Sequence, residues 1–497
     1  RRMRKLLLLL LLIAGIADAQ TIDGKAVDKL VMTTMSKWQI PGAAVAIVKD
    51  DRVVYAKGFG VRTVGGSEKV TEDTLFGIGS TSKAFTSAAM AILVDEKKMA
   101  WDDPVRKHVE YFHLSDPCAD SLVTMRDIVS HRTGLSRHDE LWDDAPWSRE
   151  EIIRRIGQVK LTKPFRSAYQ YQNIMFLTAG EAVAGAAKTP WNDFVKRRIF
   201  EPLGMTRTVI STADWNASSD RANGHRWDRA QQAAIVQTYV DDDNIAPAGA
   251  IKSSARDMAQ WVRFQLANGT VDGKRIVSAE ALGETKTPQT VIRLEGDSKD
   301  NNPETNVQSY AMGWNVQDYA GDLLIAHGGA LNGFRAQVDL LPKRNAGFVV
   351  LINEGRGLAT VALRNAIADL LLGRPPRDWD AYYLANDRRS DEKDEQRKRE
   401  RQAKRQRDTH PSHPLADYAG AYENAGYGTA TITVENDQLL LRWSRLAVPL
   451  THFHYDTFEA ISEAADVDEQ VVFRLGSDGE VAGMTLFGED FTRRKER

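Results

Sequence analysis

Ser80 and Lys83 stand three residues apart in a segment with the pattern Ser-x-x-Lys. On a helix this spacing places both side chains on one face, about one turn apart. A serine hydroxyl becomes a strong nucleophile when a neighbouring base removes its proton, and a desolvated lysine can be that base. Gly77 and Gly79 precede the pair and allow a sharp backbone turn. The segment predicts Ser80 as a catalytic nucleophile, with Lys83 beside it at the start of a helix.

The Ser-x-x-Lys pattern alone is weak, because a chain of 497 residues contains it by chance about once. A second copy, at Ser390 and Lys393, lies in a run of charged residues without glycines or an apolar helix face. We interpret that copy as a chance match.

Tyr171 and Asn173 form a second candidate pair, in the pattern Tyr-x-Asn, between a polar stretch and an apolar helical pattern. Tyr171 is therefore expected in a loop. A phenol beside an ammonium group can have a lowered pKa and act as a general acid or base. Asn173 offers a donor and an acceptor to a substrate amide and to Lys83. The same pattern recurs at Tyr422 and Asn424, in a C-terminal β pattern, where we interpret it as a chance match.

His327, Gly328 and Gly329 follow a short apolar strand pattern, and Ala330 comes next. Paired glycines let the backbone approach a ligand closely, and the histidine adds a polar catalytic group at the strand end. The N–H of Ala330 is expected to form an oxyanion hole with the N–H of Ser80. An α/β-hydrolase also uses a His-Gly-Gly segment, but it requires Gly-x-Ser-x-Gly, and none of the serines has both glycines.

The elements that must position these residues follow from hydrophobic periodicity. Apolar residues recur at the helical period over 81–96, and helical patterns fill much of 120–270. Strand patterns lie near both ends of this region, at 43–47, 52–55, 322–326, 334–341 and 348–352. The sequence therefore predicts an α+β fold, in which an antiparallel sheet is assembled from both ends and a helical subdomain is inserted.

The last part of the chain differs in composition. Residues 376–410 are predicted to be a charged helical linker, and residues 411–497 a small all-β domain, either a barrel or a meander. The run 387–408 contains ten basic and seven acidic residues. A nucleic-acid-binding arm is the alternative, but mixed signs at helical spacing favour a solvated helix. The expected ion pairs are Asp394 with Lys398, Glu395 with Arg399, and Glu400 with Lys404.

The N-terminus predicts export. Residues 1–19 resemble a signal peptide, with a basic start, the apolar run 6–13 and small residues before Gln20. An uncleaved signal anchor is the alternative, and it is the one membrane attachment that we expect. We therefore expect a secreted or periplasmic protein. Its one cysteine, Cys118, has no partner for an internal disulfide, and we interpret it as a structural thiol.

Charge and histidine spacing narrow the partners. A formal net charge of −2 argues against nucleic acid, which binds basic surfaces. Two histidine pairs, His410 with His413 and His452 with His454, raise a metallohydrolase as an alternative. They lie outside the main domain and lack an obvious carboxylate partner, so we expect no metal and no cofactor. The expected partner is a small-molecule or peptide substrate.

The three motifs occur in the order Ser-x-x-Lys, Tyr-x-Asn and His-Gly-Gly, and this combination resembles the penicillin-recognising serine hydrolases. That group includes class C β-lactamases, D-Ala-D-Ala carboxypeptidases, D-aminopeptidases and related esterases of peptidase family S12. Segments 41–45, 129–135, 199–205 and 247–251 also look like family landmarks. The resemblance covers about residues 28–370. It implies a β-lactamase/transpeptidase-like fold for the predicted domain 20–375, with an acyl-enzyme at Ser80.

The linker and β domain resemble the lipocalin-like C-terminal domain of some S12 peptidases. In those relatives the domain caps or shapes the active-site entrance and helps oligomerisation, so the resemblance allows a homo-oligomer.

The third motif departs from the Lys-Thr-Gly of β-lactamases and carboxypeptidases, because His327 replaces the lysine that helps to hold a substrate carboxylate. A histidine is mostly neutral near pH 7. We therefore expect hydrolysis of an ester or amide by an esterase, D-aminopeptidase or peptidase-like enzyme. The alternatives are a true β-lactamase or D-Ala-D-Ala carboxypeptidase, and a non-catalytic penicillin-binding sensor or scaffold. The residues leave open whether Lys83 or Tyr171 is the general base.

Overall fold

The computed structural model describes residues 22–462 and 467–494. The predicted signal peptide, residues 1–19, lies outside the described residues. Within these two ranges, every helix is too short or too polar to cross a bilayer.

The helices alternate with the strands in the first three quarters of the chain. The helices are α1 Gly24–Trp38, α2 Ser82–Asp95, α3 Pro117–Leu122, α4 Met125–Ile128, α5 Arg149–Ile156, α6 Asn173–Ala187, α7 Trp191–Val195, α8 Glu201–Leu203, α9 Thr212–Ala217, α10 Ala246–Gly249, α11 Ala255–Leu266, α12 Ala279–Glu284, α13 Asp297–Asp300, α14 Gly357–Leu372, α15 Trp379–Ala403 and α16 Leu415–Tyr418.

The strands fall into a main sheet, three small two-stranded sheets and a C-terminal barrel. Before the barrel they are β1 Gly42–Lys49, β2 Arg52–Gly60, β3 Phe76–Gly77, β4 His225–Asp228, β5 Ala233–Val236, β6 Lys252–Ser253, β7 Thr270–Val271, β8 Lys274–Arg275, β9 Thr290–Ile292, β10 Gln308–Tyr310, β11 Asn315–Tyr319, β12 Asp322–Leu331, β13 Phe334–Leu341 and β14 Ala346–Ile352. The barrel strands are β15 Gly420–Asn424, β16 Gly428–Glu435, β17 Gln438–Trp443, β18 Leu446–His454, β19 Thr457–Ser462, β20 Val467–Leu475, β21 Val481–Leu486 and β22 Glu489–Arg493.

The main sheet has eight antiparallel strands in the order β2-β1-β14-β13-β12-β11-β10-β9. Strand β1 pairs with β14 along its length, so the N-terminal hairpin joins a sheet whose other strands come from after residue 289. β1 and β14 are buried throughout apart from Lys49, because helices cover both faces. α1 and α14 cover one face and α11 and α2 lie on the other, which confirms the predicted α+β architecture with helices between the two ends.

The structure corrects the prediction that β12 ends at Ala326. The strand continues to Leu331, and residues 325–331 pair with β13. His327 and the two glycines therefore lie inside a strand rather than after it. The cause is the long β13 partner, whose backbone groups extend the hydrogen-bond ladder past the apolar run.

The linker is helical, as predicted, but its ion pairs differ from the expected i,i+4 set. Along α15, Asp394 pairs with Arg397 and Glu395 pairs with Lys398. Other charges of the helix reach away from it: Arg401 contacts two carboxylates of the barrel, and Lys393 and Asp391 contact the main domain. Carboxylates and arginines on the neighbouring domains compete for the same charged side chains, which periodicity alone does not reveal.

The C-terminal strands form a closed eight-stranded barrel in the order β15 to β22. Its interior is filled by buried aromatic and aliphatic side chains, among them Tyr418, Tyr422, Phe458, Phe473 and Met484. The predicted turn between β16 and β17 is present, with Asn436 and Asp437 both at positive φ. The prediction of a small lipocalin-like β domain is confirmed.

Candidate active site

Ser80 and Lys83 lie together at the start of α2. Ser80 sits in a short 3-10 turn, Gly79–Thr81, and Lys83 lies in the first turn of the α-helix that follows. Lys83 Nζ lies 2.9 Å from Ser80 Oγ, which is hydrogen-bonding distance. Lys83 is fully buried, whereas Ser80 keeps some exposure. The predicted pair is therefore in contact, with the serine on the accessible side.

The segment 247–251 holds Lys83 from the opposite side. Lys83 Nζ donates a hydrogen bond to the carbonyl of Ala248 (2.8 Å), and Thr86 Oγ1 donates to the carbonyl of Pro247 (2.6 Å). Gly180 of α6 packs so closely that a Cβ there would lie 2.2 Å from Pro247. The sequence marked this segment only as a landmark, and the structure shows that it fixes the lysine amine.

Burial lowers the pKa of Lys83 well below its usual value. The positive charge of Arg137 lowers the Lys83 pKa further, and the negative charge of Asp139 opposes this effect. The amine also lies 4.7 Å from the ring centroid of Tyr171 and 5.5 Å from that of Phe176. Such surroundings favour a neutral amine, which can accept a proton from Ser80.

Tyr171 lies in a loop just before α6, as predicted, but its pKa shifts opposite to the expected direction. Burial raises the pKa of Tyr171, while hydrogen bonding with Ser80 and the charge of Arg137 partly oppose the rise. The expectation of a lowered pKa was wrong, because desolvation of the phenolate outweighs nearby positive charge. Tyr171 is therefore a neutral phenol at neutral pH and can donate a proton.

His131, which sequence analysis noted only as part of the segment 129–135, pins the loop that carries Tyr171. Its Nδ1 accepts a hydrogen bond from the backbone N–H of Gln172 (3.1 Å), and its carbonyl accepts one from the N–H of Gln170 (2.8 Å). Its ring centroid lies 4.2 Å from that of Tyr171 and 4.5 Å from that of Tyr310. Burial lowers the pKa of His131 well below its usual value, so the ring is a neutral positioning group.

His327 is buried beside the same aromatic cluster, and both of its ring nitrogens have partners. Nε2 lies 2.9 Å from the hydroxyl of Tyr310, and Nδ1 lies 2.6 Å from the carbonyl oxygen of Gly328. Burial lowers the pKa of His327 to about 3. An Nδ1–H donating to Gly328 and an Nε2 accepting from Tyr310 satisfy both contacts. His327 is therefore neutral and holds the peptide of Gly328.

Backbone segments 78–80 and 329–330 approach each other closely. A Cβ on Gly329 would lie 2.0 Å from the carbonyl oxygen of Ile78 and 3.2 Å from Ser80 N. Gly79 has φ +50°, and a Cβ there would lie 2.5 Å from Ala330 N. Only glycine fits at these two positions. This packing brings the backbone nitrogens of Ser80 and Ala330 into neighbouring positions, as an oxyanion hole requires.

Asn173 occupies the first position of α6, and its side chain points to a loop that the sequence left undecoded. Asn173 Nδ2 donates to Asp139 Oδ1 (3.0 Å) rather than to a group near Lys83. Asp139 also accepts from Arg137 Nε (2.6 Å). The Arg137 guanidinium lies 5.1 Å from the Tyr171 ring centroid. Arg137 and Asp139 thus border the site, and no short motif marks them.

The two chance copies and the histidine pairs lie elsewhere. Lys393 pairs with Asp297 on an exposed stretch of α15, and the Tyr422 hydroxyl donates to the carbonyl of Tyr418 inside the barrel. In the barrel, His413 and His452 each place a ring nitrogen against a backbone carbonyl.

Among the described residues, one acidic cluster, Asp241, Asp242 and Asp243, has the spacing to hold a cation. Its buried member, Asp242, already pairs with Lys252 (2.8 Å) and Tyr239 (2.8 Å). This cluster is therefore satisfied by the chain's own groups.

Comparison with known proteins assigns the main domain. The family model described as Beta-lactamase matches residues 27–372. The chain belongs to the beta-lactamase family. A second model, described as a domain of unknown function (DUF3471), matches residues 404–497, which include the barrel.

Relatives within and beyond this family carry hydrolase names. "Unguisins hydrolase ungD'" of Aspergillus campestris is 28% identical over 438 residues, covering 83% of this chain and 78% of that protein. "Protein flp" of Staphylococcus aureus is 26% identical over 331 residues, covering 66% of this chain and 62% of that protein. The beta-lactamase-family chain described here is therefore related to hydrolases over most of its length.

The fold also matches a solved structure of both domains. The octameric penicillin-binding protein homologue from Pyrococcus abyssi aligns with a TM-score of 0.62 and 22% identity, covering 95% of this chain and 100% of that one. This match confirms the β-lactamase-like fold with its C-terminal barrel.

Proposed function

We propose that the chain is a serine hydrolase that forms an acyl-enzyme at Ser80 and hydrolyses an ester or amide bond. The observation that carries this proposal is the 2.9 Å contact between Ser80 Oγ and the buried Lys83 amine, whose pKa is lowered by burial. Membership of the beta-lactamase family and the hydrolase-named relatives support the reaction class.

Lys83 is the general base in the first step. Its neutral amine takes the proton of Ser80, and Ser80 Oγ forms a bond to the carbonyl carbon of the substrate. The negative oxygen of the tetrahedral intermediate is stabilised by the backbone N–H groups of Ser80 and Ala330. Tyr171, which is protonated, donates its proton to the leaving alcohol or amine and regains one from Lys83.

Hydrolysis of the acyl-enzyme uses the same groups in a second step. Water attacks the acyl carbonyl, Lys83 accepts a proton from this water, and the bond to Ser80 Oγ breaks as that oxygen is reprotonated. His327 does not bind a substrate carboxylate in this scheme, because it is neutral and its ring nitrogens contact Tyr310 and Gly328. This favours an ester or amide over a β-lactam as substrate.

Covalent labelling tests the proposal. The purified full chain is expected to react with a fluorophosphonate probe at Ser80, and Ser80→Ala is expected to abolish labelling. Ser390→Ala is the matched control, because it removes the serine of the chance copy. Labelling that survives Ser80→Ala contradicts the proposal.

A substrate panel defines the reaction. We expect turnover of p-nitrophenyl esters or D-amino-acid anilides and little turnover of nitrocefin. Labelling without turnover of any of the three favours a penicillin-binding sensor instead.

Export and assembly are further proposals. The basic and apolar start of the chain supports secretion to the periplasm or beyond. The octameric state of the structural neighbour supports a homo-oligomer. Fractionation of cells and light scattering of the purified protein test these two proposals.

A further inference from the structure

Tyr427, at the start of the barrel hairpin β15–β16, contacts the loop that borders the active site. Its hydroxyl lies 2.8 Å from His138 Nδ1 and 3.3 Å from Glu140 Oε2, and Tyr427 itself is buried. His138 Nε2 lies 2.9 Å from Ser136 Oγ. One arrangement satisfies all three contacts: Ser136 donates to Nε2, Nδ1–H donates to the Tyr427 oxygen, and the Tyr427 O–H donates to Glu140.

Other barrel residues surround this contact and exclude water from it. Trp443 meets Trp147 edge to face at 5.7 Å, and Arg155 lies over the Trp147 ring at 4.2 Å. Arg155 also donates to the carbonyl of Gly426 (3.1 Å). A Cβ on Gly426 would lie 2.8 Å from Val159, so the backbone of the barrel hairpin packs directly against the main domain. The barrel is therefore docked on this loop by close-packed groups.

The opposite side of the same loop reaches the active site. Gln172, next to Tyr171, donates to the carbonyls of Ser136 (2.6 Å) and Arg137 (2.8 Å). Asp139 accepts from Asn173, and the Arg137 guanidinium lies over the Tyr171 ring. His138 stands between Arg137 and Asp139 with φ +47°, a strained conformation for a histidine. Such a backbone persists only when its surroundings hold it.

We propose that Tyr427 of the barrel is a positioning residue for the active site, acting through His138 on the loop that carries Arg137 and Asp139. This inference rests on the proposed serine hydrolase function. It gives the domain of unknown function a role in the reaction of its own chain: the barrel fixes two charged groups that contact Tyr171 and Asn173. Tyr427 itself touches no reacting atom.

The test compares two tyrosine-to-phenylalanine variants of the full chain. Tyr427→Phe removes the hydroxyl that contacts His138, whereas Tyr422→Phe removes a buried barrel hydroxyl that donates to Tyr418 (2.7 Å). Each variant loses one buried hydrogen bond, so their thermal midpoints should fall by similar amounts. With p-nitrophenyl butyrate we expect Tyr427→Phe to lower kcat/KM by about fivefold to tenfold, the cost of one such bond, and Tyr422→Phe to leave it unchanged.

A pH profile separates positioning from general loss of stability. Arg137 lowers the pKa of Lys83, with Asp139 opposing less strongly. The neutral neighbours His131 and His327 are held by contacts of their own. Release of the loop should therefore move the rising limb of kcat/KM to higher pH in Tyr427→Phe and not in Tyr422→Phe. Equal effects of both variants on rate and profile would overturn the proposal.

A double-mutant cycle tests the route through His138. We expect His138→Phe to lower kcat/KM by a similar factor, and adding Tyr427→Phe to His138→Phe to cause no further loss. Losses that multiply would show that the two residues act separately and contradict the proposal. Fluorophosphonate labelling of the unsubstituted chain keeps the two hypotheses apart: no labelling at Ser80 refutes the hydrolase, whereas labelling with full activity in Tyr427→Phe refutes only the positioning role.

Discussion

Lys83 illustrates how one residue combines the roles of structural liability and catalytic base. A fully buried amine costs free energy unless it is neutral, and here the contacts with Ser80 and Ala248 replace its hydration. The same desolvation makes the amine a proton acceptor near neutral pH. The site is therefore expected to be less stable than an apolar version of itself.

Substitution of Lys83 tests this trade-off. Lys83→Met keeps the side-chain length and removes the base, so we expect acylation by p-nitrophenyl butyrate to slow by about a hundredfold to ten-thousandfold. The thermal midpoint should stay the same or rise, because a buried amine is replaced by an apolar group. A Lys83→Met protein that labels with fluorophosphonate at the original rate contradicts the assignment of the base.

The pH dependence follows from the charge of Arg137. The neutral form of Lys83 is the active form, so activity rises as pH passes upward through the Lys83 pKa. Because the Arg137 charge lowers that pKa, Arg137→Gln raises it and moves the rising limb of kcat/KM to higher pH. Arg154→Gln, at an exposed arginine paired with Glu150, is the charge-matched control and should leave the profile in place. An unchanged profile in Arg137→Gln contradicts the proposed coupling.

Residue types and spacing predicted part of this site. Ser80, Lys83 and Tyr171 could be chosen because each belongs to a short pattern, and they lie together in the structure. Arg137, Asp139 and Tyr310 could not be found in this way, because their positions depend on a loop and a strand that meet only after folding. The direction of the Tyr171 pKa shift was also out of reach, since burial cannot be determined from spacing.

At the scale of elements, the decisive feature is the contact between β12 and the turn before α2. Residues two apart on a strand share a face, so His327 and Gly329 both point towards the Ser80 segment. Gly329 leaves room for the Ile78 carbonyl and the Ser80 amide, and His327 fixes the neighbouring peptide. The oxyanion hole is thus a property of two elements held in register.

Two adjacent glycines test this packing. Gly329→Ala would drive a Cβ to 2.0 Å from the Ile78 carbonyl, whereas Gly328→Ala meets only the end of the Gln337 side chain at 3.1 Å. We expect Gly329→Ala to lower kcat by about a hundredfold to a thousandfold, comparable with loss of an oxyanion-hole donor. Gly328→Ala should cost less than tenfold, by about the loss of one weak contact. Steady-state kinetics with p-nitrophenyl butyrate compare them, and equal losses would contradict this account.

The sequence predicted the existence of β12 but not its extent. Apolar periodicity stops at Ala326, whereas the strand continues because β13 offers further backbone partners. The helix after Ser80 was easier, since its apolar residues recur over the full length of the element. Elements defined by their own side chains are predictable, and elements extended by a partner are not.

At the scale of the whole molecule, the barrel contributes to a site that it does not enclose. Composition and turn signals predicted a separate β domain, and the structure confirms one. Its docking on the loop at 136–147 joins residues nearly three hundred positions apart, such as His138 and Tyr427. No local pattern encodes that contact.

Metal dependence is a second question at this scale. The acidic cluster at 241–243 is already occupied by Lys252, Tyr239 and Thr212 hydrogen bonds, and the reaction scheme uses only side chains and backbone N–H groups. We expect dialysis against EDTA to leave hydrolysis of p-nitrophenyl butyrate unchanged. A loss of activity that returns with added Zn²⁺ or Ca²⁺ would require a different mechanism.

Trapping of the acyl-enzyme during turnover tests the central claim most directly. The protein is mixed with p-nitrophenyl butyrate, quenched in acid within one turnover, digested and analysed by mass spectrometry. We predict one butyryl group on the peptide that contains Ser80, and no such peptide from Ser80→Ala. A butyryl group on another residue, or continued turnover by Ser80→Ala, would contradict the account.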